Sequence, residues 1–164
     1  MKRLGLLFYI LCFVICSAGA QSVTKTVHKK AVKTDVVSTG TVTIRKPDYI
    51  CIATDGDSDL LMMDGTQFTM TMGKKKHVTD SRKNAQFATF QKVLTAVING
   101  DPIPTGDDLT VSTNAGRKTI TITPAGKKRQ LFTSFVLVID TKTSAFCTLR
   151  MNGRGEDYTE YNFK

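Results

Sequence analysis

The chain predicts a mainly β domain, α+β in class: a curved, meandering antiparallel sheet with one helix laid on its apolar face. Three observations lead there. Apolar and polar residues alternate with period two through most of the chain, in runs rich in Thr, Val and Ile, as strands with one buried face require. Turn-forming dipeptides such as Asp64-Gly65 separate those runs where two-residue hairpins need them. One stretch, "AQFATFQKVLTAVINGD", changes to helical spacing.

The first twenty residues stand outside this pattern. Lys2 and Arg3 precede an apolar run over residues 4–15, and Ala18-Gly19-Ala20 supplies a small-x-small cleavage signal. This is the form of a secretory leader, too short to span a bilayer, which takes roughly 20 apolar residues. Cys12 and Cys16 each follow a bulky residue, Leu11 and Ile15, which argues against a lipid-modified N-terminus. The mature chain is expected to run over residues 21–164 as one domain, cleaved after Ala20 and exported.

Residues 21–33 read as a first strand. "TGTVTI" puts Val42 and Ile44 on one face, and "TQFTMTM" does the same with Phe68, Met70 and Met72. Asp64-Gly65 would pair the latter run with "LLMM" before it. "TITITP" carries Ile120 and Ile122, and "QLFTSFVLVID" aligns Leu131, Phe135, Leu137 and Ile139. "SAFCTLRM" aligns Ala145, Cys147, Leu149 and Met151, and "DYTEYNF" closes the chain. In the helical stretch, Phe87, Phe90, Leu94, Val97 and Ile98 form a stripe, with Asn99-Gly100 and Pro102 as the stop. Three turns are not stable alone, so the stripe must lie on the sheet. The lysines at 74–76 and the basic cluster at 127–129 are placed at turns, as guards against edge pairing or as a docking surface.

Without the leader, the formal charge falls from +9 to +7, 21 basic residues against 14 acidic ones. For an exported protein, this field suits acidic partners or anionic head groups rather than nucleic acid. Of the four cysteines, Cys51 and Cys147 remain. They read as buried free thiols, with a disulfide as the alternative permitted by export.

No catalytic pattern emerges. His28 falls in a Lys-rich strand and His77 in an expected loop, both solvated and without neighbours at ligand spacing. There is no G-x-S-x-G elbow and no glycine-rich phosphate loop. "TDGDSDLLMMDG" opens like a calcium loop but has Leu60 and Thr66 where the sixth and twelfth positions need Gly and an acid. It reads as a polar corner, and no metal or cofactor is expected. Met62, Met63, Met70 and Met72 remain, a cluster of adaptable apolar groups. They suit either an ordinary core or a greasy cavity between sheet and helix.

The order of elements resembles the LolA-like periplasmic carriers of outer-membrane lipoproteins. The resemblance rests on a glycine-led strand (Gly40), basic residues before a proline (Arg45-Lys46-Pro47), and an apolar–Asp-Gly–apolar hairpin over residues 60–72. The helix at 87–98, the "TITITP" strand and the final aromatic strand ending at Phe163 follow in the family's order. It covers about residues 36–163. It implies an incomplete β-barrel lidded by helices, here a short divergent member lacking the first helix. It also implies a non-enzymatic carrier, a monomer, that takes acyl chains of lipoproteins or a related lipid from an inner-membrane donor complex to an outer-membrane acceptor. Its contact with the membrane would be peripheral, through those proteins only. On this reading Phe68, Met70, Met72, Ile120 and Ile122 form the cavity wall and Phe87, Phe90 and Leu94 the underside of the lid. Arg45 and Lys46 are the candidate lid latch, although lysine directly before the proline cannot reproduce a planar, multi-donor arginine. The alternative is a lipid-sensing or partner-binding module of the same fold without transport; a hydrolase is third.

Overall fold

The structure, a computed structural model, describes residues 21–32, 34–124 and 130–164. The expected leader (1–20) and the basic cluster at 127–129 lie outside these residues. Eleven strands form one antiparallel sheet: β1 (Gln21–His28), β2 (Val36–Arg45), β3 (Tyr49–Thr54), β4 (Asp59–Asp64), β5 (Gln67–Met72), β6 (Lys75–Asp80), β7 (Leu109–Asn114), β8 (Arg117–Ile122), β9 (Ser134–Asp140), β10 (Phe146–Asn152) and β11 (Tyr158–Phe163). The spatial order is β6-β5-β4-β3-β2-β1-β11-β10-β9-β8-β7. Two meanders are therefore joined where the first and last strands pair, and the sheet does not close into a barrel. The helix α1 (Ala85–Asn99) interrupts the chain between them.

The sheet is strongly curled. Six strands separate β5 from β9, a flat spacing of roughly 34 Å at about 4.8 Å per strand. Yet Phe87 of α1 lies 4.7 Å from Phe68 on β5 and 5.8 Å from Phe135 on β9, ring to ring. One aromatic side chain thus touches both halves of the concave face. Gly40 shows how the curl is accommodated: a Cβ there would lie 1.9 Å from the Ala53 carbonyl oxygen and 2.7 Å from the Thr54 Cα. Without a side chain at this point, β2 and β3 press together and β1 comes into contact with β3, which it does not pair with.

α1 starts at Asn84, whose side chain accepts from the Gln86 N–H, and stops at Gly100, whose φ of 75° is left-handed. Its stripe packs as the spacing predicts: Phe90 stacks on Phe135 at 4.3 Å, and Phe90, Val93 and Leu94 are fully buried.

Several local expectations are corrected. Lys74 lies in the turn, but Lys75, Lys76 and His77 do not form a loop; residues Lys75–Asp80 are the edge strand β6, turned from β5 at Gly73, with lysines guarding the edge. Leu131 is not part of the β9 face: it precedes the strand and is exposed. In β10, the register shifts between Phe146 and Thr148. This bulge puts Phe146 inside with Leu149 and Met151 and leaves Ala145 exposed and Cys147 part-exposed. Both thiols are free, and both are half-buried rather than buried.

Candidate ligand cavity

Between β5 on one side and β1, β11 and β10 on the other lies an open cavity of about 530 Å³. Its apolar wall is made by Met70 and Met72 from β5, Met151 from β10, and Leu131 and Phe132 from the segment leading into β9. Its polar wall carries Lys25 and Tyr161, with Lys29, Arg154 and Asp157 nearer the turns. A smaller space of about 170 Å³ shares Met70 and Leu131 and is bounded by Phe68, Phe87 and His77.

The expected site residues divide accordingly. Met70 and Met72 line the main cavity, with Met72 half exposed at its rim. Phe68 and Phe87 border the smaller space. Ile120, Ile122, Phe90 and Leu94 are instead sealed in the core under the helix. Beneath the middle of α1, Phe90 and Phe135 stack, and the larger open volume has no lining residue from α1. Met151 and Phe132 were not singled out by the sequence as wall residues.

Neither latch candidate is seen bonded to the helix. Arg45 stacks on Tyr49 of its own hairpin at 3.9 Å, and Lys46 is exposed. The bond from this turn to the helix uses the Pro47 carbonyl, which accepts from Asn99 Nδ2 at 2.9 Å. At the other end of α1, Gln86 Oε1 accepts from the Phe132 N–H at 3.2 Å, and Thr89 bonds to Asp108. The helix is thus tied at both ends as well as packed in its middle.

Lys25 was not foreseen in the site. In β1, Val23, Lys25 and Val27 alternate onto the inward face, so an ammonium takes a core position with only 5 % of the residue exposed. It pairs with Asp59 on β4, across two intervening strands. Asp59 also accepts from the Gly73 N–H at 3.0 Å. Burial opposes the Asp59 charge, but the Lys25 and Gly73 hydrogen bonds outweigh it and hold the carboxyl below its ordinary value. Tyr161, directly opposite Lys25 in the β1–β11 register, is buried, and burial together with the Asp59 charge keeps its phenol protonated far above the usual range. Near the mouth, Asp157 is held by the Lys30 N–H and by Lys29 at 3.1 Å, which keep its carboxyl low.

The aspartates of "TDGDSD" divide their work. Asp55 and Asp57 adopt positive φ in the β3–β4 turn, and Asp59 forms the ion pair. Among the described residues, no three metal-binding side chains gather. His28 stacks on Tyr158 and contacts Asp35 at 2.6 Å, so it is engaged rather than simply solvated.

No family model matches the sequence, and the search of curated proteins found no match. Among solved structures, the chain is similar to a LolA superfamily protein from Nitrosomonas europaea at 6 % identity and TM-score 0.31, covering 90 % of this chain and 85 % of that one. It is similar to a DUF1329 family protein from Desulfovibrio piger at 10 % identity and TM-score 0.38, covering 88 % and 82 %. It is also similar to a domain from Vibrio parahaemolyticus assigned as an outer-membrane lipoprotein-sorting protein, at 9 % identity and TM-score 0.37, covering 88 % and 82 %. The superpositions are loose, and the cavity is defined by this chain's own residues.

Proposed function

We propose that the protein is a non-enzymatic periplasmic carrier that holds an acyl chain in the cavity between β5 and β10–β11 and hands it on toward the outer membrane. The observation that carries this reading is the open 530 Å³ cavity walled by Met70, Met72, Met151, Leu131 and Phe132. The volume falls within the range of small-molecule sites, roughly 300–1,000 Å³. Methionine adapts to flexible apolar shapes. Burying about 15 methylenes is worth about 12 kcal/mol gross, so release into water is slow and cargo must pass directly to an acceptor. The cargo is the acyl part of a lipoprotein or a related lipid, received from an inner-membrane donor complex. The secretory form of residues 1–20 supports export.

A second reading, a partner-binding module of the same fold, draws on the helix–sheet contact, where Phe90 stacks on Phe135 and the larger cavity has no lining residue from α1. Native mass spectrometry of protein isolated from its own periplasm separates the two. A stoichiometric bound lipid is expected for the carrier, and repeated absence of lipid would leave only the module.

A further inference from the structure

The polar wall of the cavity contains more hydrogen-bond donors than the protein uses. An ammonium has three N–H donors. Lys25 makes one bond, to Asp59, and has no other partner among the described residues. Tyr161 lines the same cavity at 5 % exposure, and its hydroxyl has no hydrogen-bond partner among the described residues. The two residues are register partners on neighbouring antiparallel strands, so their side chains rise from the same face with Cβ atoms roughly 5 Å apart. A buried ion pair is seldom more stabilising than apolar residues of the same volume. This pair nevertheless occupies an inward position on the wall of an otherwise greasy cavity.

Charge points the same way. The ionisable lining comprises Lys25, Lys29 and Arg154 against Asp157, and Lys29 and Asp157 bond to each other. Lys25, deep in the wall, is itself paired with Asp59, which leaves the exposed Arg154 at the edge as the lining cation without an acid partner among the described residues. A wholly apolar occupant would cover the Lys25 ammonium and leave its spare donors unfilled, which costs free energy. An occupant with an anionic oxygen head fills them.

We infer that the cavity takes a single-chain amphiphile with a carboxylate head, its oxygens held by Lys25 Nζ and the Tyr161 hydroxyl and its chain lying along Met70, Met72 and Met151. This rests on the carrier reading and narrows the cargo to a long-chain carboxylate. The tail supplies the apolar burial already described. The head supplies orientation: one end of the ligand is fixed at β1–β11 and the other is directed toward the rim at Met72.

The test is binding of laurate and of dodecanol, its uncharged counterpart, by calorimetry to the mature protein, Lys25→Met and Tyr161→Phe. Laurate is expected to bind the unmodified protein at least about tenfold more tightly than dodecanol, since charge-assisted hydrogen bonds are the stronger ones. Tyr161→Phe keeps the buried ring and is expected to weaken laurate about fivefold, the loss of one hydrogen bond, and to weaken dodecanol, a neutral acceptor, less. Lys25→Met is expected to weaken laurate more. If Lys25→Met does not fold because Asp59 loses its partner, Tyr161→Phe still decides. Equal binding of both ligands, or a laurate preference untouched by either substitution, overturns the carboxylate inference and leaves the carrier reading in place. Binding of neither ligand overturns both.

Discussion

Lys25 on β1 and Asp59 on β4 form an ion pair across the two strands between them. In a flat sheet those strands would lie roughly 14 Å apart at about 4.8 Å per strand, so the pair exists only because the sheet curls. Removing one partner leaves the other charge buried. Lys25→Met or Asp59→Leu alone is expected to cost about 3–5 kcal/mol, and the double substitution to recover most of it. Urea denaturation of the three variants checks this; additive losses would show that the two charges are not coupled.

Acid should expose the same pair. The native Asp59 carboxyl lies below its ordinary value, so its contribution is fully present above the unfolded value of about 3.9 and is lost as pH falls through the lower native value. Asp140 and Asp157 are lowered too, by backbone N–H groups and neighbouring side chains, so the whole protein loses stability in that window. The difference between wild type and Asp59→Asn isolates this pair. Urea midpoints from pH 6 downward are expected to fall less steeply below about pH 4 in the variant.

Gly40 is the point where the curl leaves no room. Gly40→Ala places a methyl against the Ala53 carbonyl and is expected to cost about 3 kcal/mol or more, at the upper end for overpacking. Thermal unfolding measures it. A loss under about 0.5 kcal/mol, the ordinary range for surface changes, would mean that β2 and β3 separate easily.

The clasp on α1 predicts a contrast within one turn. Asn99→Ala removes the bond to the Pro47 carbonyl and should cost about 1 kcal/mol and speed amide exchange in the last turn of the helix. Lys46→Ala, at an exposed position, should change stability by less than about 0.5 kcal/mol. The reverse order would assign the anchoring of this turn to the lysine.

Much of the fold was legible because its signals are local. Alternation in "TQFTMTM" and Asp64-Gly65 marked β4 and β5, and the 3.6-residue stripe with Asn99-Gly100 marked α1. Edge strand β6 was missed because its lysines read as turn chemistry, although charge on an edge is what prevents further pairing. The β10 bulge was missed because a one-residue slip exchanges faces without changing composition. The site was half legible. Which apolar residues line open space and which are sealed depends on how the two meanders curl together, a non-local matter that put Ile120 and Phe90 in the core and Met151 in the wall. Lys25 did leave a local sign: in Val23–Lys25–Val27 a charge holds the inward place of an alternating strand.

The most direct test of the cavity reading uses the methionines themselves. Met62, Met63, Met70, Met72 and Met151 are those beyond the leader, and they divide between wall and control positions. Met70, Met72 and Met151 line the cavity, Met63 is sealed in the core and Met62 lies on the other face of β4. In a ¹³C-methyl methionine NMR titration with laurate, Met70, Met72 and Met151 should shift saturably while Met62 and Met63 stay in place. No shift at any methyl, or shifts led by Met62 and Met63, would contradict a carrier that holds its cargo in this cavity.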